Sequence, residues 1–152
     1  MDIRTISQEY TEIGNELIQT EAVLQDIRES AVQIIYLASE HEKKQGGKVV
    51  CGQCEKVPEK YRWVVPCDFT VTVFQPNVER FTDEQIRILI LHELLHIGIA
   101  KDGNEEIYSI RPHDVEDFEE VISRYGMRWA DDAVGKAEGA GAGYSDDDEE
   151  GE

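Results

Sequence analysis

The stretch Ile88-Leu89-Ile90-Leu91-His92-Glu93-Leu94-Leu95-His96-Ile97-Gly98-Ile99-Ala100 decides how this chain folds and where its chemistry lies. Outside the His-Glu-x-x-His motif at its centre, it contains only apolar residues and glycine. Residues four apart share one face of a helix, so a helix would place the imidazoles of His92 and His96 side by side. Two imidazoles so placed can bind one zinc ion. Glu93 would then lie beside the open coordination position and accept a proton from metal-activated water.

The apolar surroundings of the motif favour a metal site. Burying two imidazoles and a carboxylate among leucine and isoleucine side chains costs several kcal/mol unless the groups are paired or bind a metal. The alternative is a core helix with two satisfied histidines and a glutamate at the surface. We predict one zinc ion per chain, with Glu93 as the catalytic residue.

Length and charge limit the class of protein. The chain has 152 residues, enough for one domain with a buried core and a short tail. Its formal net charge is −18, whereas proteins that bind a phosphate backbone neutralise it with clustered Lys and Arg. Acidic charge also repels anionic membranes. We therefore expect no direct nucleic-acid binding and no membrane association.

The cysteines and the ends of the chain bear on its compartment. No apolar signal region follows Met1, and the run Ile88–Ala100 is too short to span a bilayer. Three cysteines without a secretory signal favour a reducing, cytoplasmic compartment. Cys51 and Cys54 form a lone C-x-x-C pair, which we interpret as ordinary reduced thiols. A second zinc site, completed by Cys67 and His41, and a redox pair are the alternatives.

Hydrophobic periodicity predicts an α+β fold, a small sheet packed by helices. Helical spacing covers residues 4–30, with a break near Thr20, and strands are predicted at 31–39, 48–57 and 68–74. Thr82 and Gln85 form a capping box that starts the central helix. A polar turn at 40–47, a short apolar run at 107–110 and a last helix at 114–124 complete the elements. From residue 135 the composition changes to Gly, Ala, Asp and Glu, so we predict a domain over 1–134 and a disordered acidic tail over 135–152.

A catalytic zinc site usually has three protein ligands and one open position. Two further histidines exist besides those of the motif, and His41 lies in the polar turn. His113 follows His96 by seventeen residues, enough chain to reverse and return to the metal. We therefore predict His113 as the third ligand, with Asp114 as the first alternative. Weaker alternatives are the two acids of the intervening turn, Glu105 and Glu106.

Other residues near the predicted ligands have candidate supporting roles. Asp114 or Asp117 could accept the second imidazole N–H of a ligand and fix its tautomer. Tyr108 or Arg111 could donate to the oxyanion that forms when water attacks a peptide carbonyl. The alternative for the last two is a strand tyrosine and a surface arginine.

Several motifs together give the chain a family resemblance. They are Glu55-Lys-Val-Pro-Glu-Lys-Tyr61, Asp68-Phe69, Pro76-Asn77, Leu91-His-Glu-Leu-Leu-His-Ile-Gly98, Pro112-His-Asp-Val-Glu-Asp-Phe118 and Arg124-Tyr-Gly126. On these motifs the chain resembles the phage metallopeptidase family over roughly residues 28–130, and its layout is similar to SprT-like minimal zincins. The resemblance implies a zincin-like α+β fold, a phage or prophage origin, His92, His96 and His113 as ligands, and Glu93 as base.

The sequence thus predicts a small zinc metallopeptidase that hydrolyses protein or peptide substrates, with Glu93 as the general base of a metal-activated water. One rival interpretation is an interaction protein that zinc stabilises and that has no activity. Another is an acidic mimic of DNA that binds a basic partner, although such a protein has no need of the His/Glu motif. A protease of DNA-bound proteins, which the SprT-like layout suggests, is disfavoured by the acidic charge.

Overall fold

The computed structural model describes residues 2–112 and 145–146. Over these residues the chain is an α+β protein, as predicted. The α-helices are α1 (Gln8–Thr20), α2 (Gln25–Arg28) and α3 (Asp83–Leu94). The strands are β1 (Arg4–Ile6), β2 (Ile34–Ser39), β3 (Lys44–Gln45), β4 (Lys48–Lys56), β5 (Phe69–Phe74), β6 (Ile97–Asp102), β7 (Glu105–Ile110) and β8 (Ser145–Asp146). Short 3₁₀ turns cover Ala22–Leu24, Glu59–Tyr61 and Gln75–Val78.

The main sheet is mixed. Its strand order is β1-β2-β5-β4-β3, and β8 also pairs with β4. Strand β2 runs parallel to β5, whereas β4 runs antiparallel to β5. Strands β6 and β7 form a separate antiparallel hairpin that follows α3 directly. Strand β5 lies between β2 and β4, in the middle of the main sheet, and five of its six residues are buried.

The first helix starts later than the sequence predicted. Residues Arg4–Ile6 pair antiparallel with β2 instead of opening a helix over 4–30. Ser7 ends the strand in an extended conformation and caps α1, because its side-chain oxygen accepts a hydrogen bond from the backbone N–H of Tyr10. The predicted break near Thr20 is confirmed, since α1 ends there and the chain continues through a 3₁₀ turn into α2.

The three strand predictions are confirmed within a few residues by β2, β4 and β5. The predicted polar turn over 40–47 contains β3, which pairs with the start of β4. Gly46 and Gly47 join the two strands with φ values of 59° and 80°. Two consecutive positive φ angles are the geometry of a tight hairpin turn, which glycine adopts without steric cost.

The core lies between the main sheet and the helices. Helix α3 is at its centre, because every residue from Ile88 to Leu94 is buried. A helix that is apolar on all sides must be covered on all sides, and here α1 and the strands β4 and β5 pack against it. In the part of the chain that the structure describes, no helix is long and apolar enough to cross a membrane.

Candidate functional site

Helix α3, which packs against β4, carries two of the predicted site residues, His92 and Glu93. Its N-cap is Thr82, whose hydroxyl accepts from the backbone N–H of Gln85 at 3.1 Å, while the Gln85 side chain accepts from the backbone N–H of Thr82 at 2.9 Å. The capping box that the sequence predicted is thus confirmed. With its start fixed, the last turn of the helix places His92 and Glu93 in the core, beside β4.

The helix ends within the motif. Leu94 is its last residue and Leu95 its C-cap, with the helical angles φ −69° and ψ −14°. The backbone N–H of His96 donates to the carbonyl of Glu93 at 3.1 Å, a tightened last turn. The chain therefore keeps its helical path to His96, and the ring centroids of His92 and His96 lie 5.2 Å apart. The two imidazoles are neighbours, as the four-residue spacing predicts.

The helix does not continue through the apolar run to Ala100, and of residues 101–104 only Gly103 and Asn104 are in a turn. Residues Ile97–Asp102 form β6, which pairs antiparallel with β7. β-branched isoleucines alternate with Gly98 and Ala100 there, a pattern that suits a strand better than a helix. Gly103, with φ 66°, makes the turn between the two strands. The short apolar run predicted at 107–110 belongs to β7.

The hairpin returns the chain to the end of α3 and fixes the ring of His96. Nδ1 of His96 lies 2.7 Å from the carbonyl oxygen of Arg111. A carbonyl oxygen only accepts, so Nδ1 must carry the proton. In the neutral imidazole the lone pair is therefore on Nε2, the nitrogen that can act as a metal ligand. The backbone N–H of Arg111 donates in turn to the carbonyl of His96, and its guanidinium donates to the carbonyl of Leu95 at 3.3 Å.

The motif is fully enclosed. His92, Glu93 and His96 each have 0 % of their surface exposed. Glu93 lies against β4, with its carboxylate facing Gly52. Ionisable groups in such surroundings are costly unless they are paired or bind a cation.

Some of the remaining predicted site residues lie outside the part of the chain that the structure describes. His113, Asp114 and Asp117 lie outside the described residues, so their roles stay predictions. Within the described ranges, no cluster of three or more His, Cys, Asp or Glu side chains could hold a metal ion. The motif itself contributes two neighbouring imidazoles to the site.

Tyr108 is on β7, where its hydroxyl donates to Glu106 Oε1 at 2.6 Å. Burial, followed by the hydrogen bond to Glu106, raises the pKa of Tyr108 to about 12. The bond from Tyr108 and another from the backbone N–H of Ala31 lower the pKa of Glu106. Glu106 thus accepts hydrogen bonds from Tyr108 and Ala31, and its role as an alternative ligand stays a prediction. The oxyanion role of Tyr108 and Arg111 stays a prediction.

The cysteines and His41 do not gather into a second metal site in the described ranges. His41 is exposed, as expected for a residue in the polar turn. Cys51, Cys54 and Cys67 are all fully buried, and none of the three is in a disulfide. Burial raises the pKa of the Cys67 thiol.

Two contributions to the site were not predicted from the sequence. One is the carbonyl of Arg111, a backbone group that no residue pattern reveals. The other is Gly52, which lies beneath Glu93. An isolated glycine inside a predicted strand is a known sign of close approach by another group, so that signal was available in the C-x-x-C segment.

A His-Glu-x-x-His motif at the end of a core helix, packed on a mixed sheet, defines the class: a small α+β protein with two buried, neighbouring imidazoles and a carboxylate. The chain belongs to a metallopeptidase family, since the family model described as "Putative phage metallopeptidase" matches residues 4–137. The resemblance to this family seen in the sequence is thereby confirmed, and it places the chain among phage metallopeptidases, a class of hydrolases. The similarity to SprT-like minimal zincins stays a prediction. No curated protein and no solved structure matches the chain.

Proposed function

We propose that the chain is a zinc-dependent metallopeptidase in which His92, His96 and His113 hold one zinc ion and Glu93 is the general base. One observation carries the proposal: the Arg111 carbonyl binds Nδ1 of His96 and leaves Nε2 as the nitrogen with a lone pair. Metal-binding histidines typically have their other ring nitrogen held by a carbonyl or carboxylate in this way.

The residues present fit a zinc ion. Imidazole nitrogen is a preferred zinc ligand, and the rings of His92 and His96 are adjacent, with centroids 5.2 Å apart. Both are fully buried, in an apolar setting where polar groups need hydrogen-bond or metal partners. His113 is proposed as the third ligand from its spacing and from the family resemblance.

The chemistry divides between the ion and the chain. Zinc, when bound, supplies a Lewis acid that polarises a peptide carbonyl and lowers the pKa of water. Glu93 takes the proton of the attacking water and later delivers it to the leaving amine. The Arg111 carbonyl keeps His96 in one tautomer and one orientation. The apolar side chains of α3 exclude bulk water and so strengthen these electrostatic interactions.

The substrate class follows from the family and from charge. Metallopeptidases act on proteins or peptides, and a net charge of −18 disfavours nucleic acid as a direct ligand. We further propose that the catalytic domain occupies residues 1–134, that residues 135–152 are an appended acidic tail, and that the protein acts in the cytoplasm of a bacterial host.

The complete burial of His92, Glu93 and His96 also fits a second function. A structural zinc site is closed, whereas a catalytic one keeps an open position. Under this alternative the chain is a zinc-stabilised interaction protein without activity. It predicts that changing Glu93 has no consequence for function.

The test compares the wild-type protein with Glu93→Gln and His113→Ala. Metal per chain is measured by elemental mass spectrometry, and hydrolysis is measured on a mixed peptide library. We expect one zinc in the wild type, weakened or lost in His113→Ala. Glu93→Gln should keep the zinc and lose about 10²- to 10⁴-fold in rate, the usual contribution of a general base.

Three outcomes would count against the proposal. Full activity in Glu93→Gln would remove the general-base role. A wild-type protein that takes up no metal, even when zinc is offered in excess, would refute the metal site. Zinc binding without any hydrolysis would favour the structural alternative.

A further inference from the structure

Gly52 lies in the middle of β4, where the backbone conformation would also allow a residue with a side chain. Positive φ angles occur among the described glycines at Gly46, Gly47 and Gly103, and Gly52 is not one of them. Its backbone conformation is therefore open to any residue. The reason for glycine at this position must be the space that a side chain would fill.

That space is occupied by Glu93. A Cβ atom built on Gly52 would lie 2.9 Å from Oε2 of Glu93 and 3.2 Å from its Cγ. It would also lie 3.1 Å from Cδ1 of Leu89, one helical turn earlier. Ordinary van der Waals contact begins at 3.4 Å, so the carboxylate oxygen would be about 0.5 Å too close.

The easiest relief of this overlap moves the carboxylate. Gly52 is buried and pairs with Val73 of β5, so β4 is held in the sheet. The atoms that a Cβ would meet are side-chain atoms of α3, and Oε2 is the end of the most extended of them. Rotation of the Glu93 side chain costs less than separation of the helix from the sheet.

We propose that Gly52 is a positioning residue: the absent side chain gives the Glu93 carboxylate its place against β4. The inference rests on the proposed function, in which Glu93 is the general base. It also gives the Cys51-Gly-Gln-Cys54 segment a role that is neither metal binding nor redox chemistry. The buried Cys51 and Cys54 lie in the same strand as Gly52, whose missing side chain leaves room for the Glu93 carboxylate.

The first test is kinetic. Gly52→Ala should keep its zinc and lower kcat by about tenfold to a hundredfold, since a displacement of about 1 Å at a reacting group can cost about 10²-fold. KM should change little, because a general base acts in the transition state. Val73→Ala is the matched control, since it disturbs the paired position on β5 without adding an atom near Glu93. Its kcat should stay within about twofold of wild type.

The second test needs no activity. Thermal midpoints are measured for Gly52→Ala in the wild-type background and in a Glu93→Ala background, a double-mutant cycle. If the added methyl meets the carboxylate, Gly52→Ala should lower the midpoint by about 4 °C or more with Glu93 present. With Glu93 truncated, the same change should have less than half that effect.

The possible outcomes test the role of Gly52 and the proposed function separately. A Gly52→Ala protein with unchanged kcat, beside an inactive Glu93→Gln protein, would overturn the role of Gly52 and leave the proposed function standing. An active Glu93→Gln protein would overturn the proposed function itself. Equal midpoint shifts in the two backgrounds would overturn the contact, whatever the activity.

Discussion

Gly14, on α1, is a position where two physical effects oppose each other. Replacing a glycine inside a helix with alanine normally stabilises the fold by about 1 kcal/mol. Gly14 is buried, however, and faces the ring of Tyr36 on β2. A Cβ atom at Gly14 would lie 2.3 Å from both Cζ and the hydroxyl oxygen of that ring. Helix propensity thus predicts a gain in stability, and packing predicts a loss.

The distances decide in favour of a loss. Contact at 2.3 Å is about 1.1 Å shorter than the 3.4 Å at which ordinary contact begins. The Tyr36 ring is rigid and only 2 % exposed, so it cannot turn away into solvent. Adding a methyl group to a filled core typically costs about 1–3 kcal/mol, and more where the backbone must move. After the gain in propensity, we expect Gly14→Ala to lose about 2 kcal/mol of unfolding free energy.

Thermal unfolding followed by circular dichroism measures the effect. For a chain of this size, about 2 kcal/mol corresponds to a midpoint lower by about 4–8 °C. Asn15→Ala is the matched control, since Asn15 is exposed on the same helix and should gain a few tenths of a kcal/mol at most. In a Tyr36→Phe background the loss should persist, because Cζ remains. A Gly14→Ala midpoint equal to or above wild type would refute the packing argument.

Two further predictions concern the start of α3 and the alkaline limit of stability. Thr82→Ala removes the hydroxyl that accepts from the Gln85 backbone N–H, and should lower the unfolding free energy measured with denaturant by about 1 kcal/mol. Thr82→Ser keeps a hydroxyl and should lower it less. Equal stability of all three proteins would contradict the role of Thr82 as N-cap. Burial raises the pKa of Tyr10 and of Tyr108 to about 12 each. Tyrosines of the unfolded chain ionise near pH 10, so the folded state holds more protons between about pH 10 and 12. This contribution is complete below pH 10 and is lost as pH rises through that window. Unfolding free energies measured from pH 9 to 12 should fall less steeply for Tyr108→Phe, and parallel curves would count against the assignment.

Elements with local signals were predictable from the sequence. The alternation over 68–74 identified β5, and the Thr82–Gln85 box identified the start of α3. The alternation did not reveal which faces are buried. Thr72 would point to solvent in a sheet with one wet face, yet it is fully buried, and its hydroxyl accepts from Arg4 of β1 at 3.2 Å. The Arg4 side chain that contacts Thr72 comes from a strand far away in sequence, which local periodicity does not encode.

The end of α3 illustrates the same limit more sharply. The apolar run Ile88–Ala100 does not by itself show where the helix ends, since isoleucine occurs both in the helix and in the strand that follows it. The boundary is set by β7, which pairs with residues 97–102 and turns them into a hairpin. The same pairing brings the Arg111 carbonyl to His96. One long-range interaction therefore determines both where the helix stops and how the histidine is oriented.

The orientation of the motif thus depends on groups that side-chain truncation cannot remove. The carbonyl of Arg111 survives every substitution of its side chain, and Gly52 has no side chain to delete. Alanine scanning of this chain would therefore detect the side chains of the site but miss the Arg111 carbonyl and the space at Gly52. The supporting parts respond only to added atoms, as in Gly52→Ala, or to a shift in the pairing of β6 with β7. Gly98 offers such a shift, because a Cβ there would lie 2.7 Å from the Ser109 hydroxyl oxygen and 3.3 Å from the Ser109 carbonyl oxygen, two residues before Arg111. Additive substitutions along these strands are thus the appropriate way to map how the fold holds the motif.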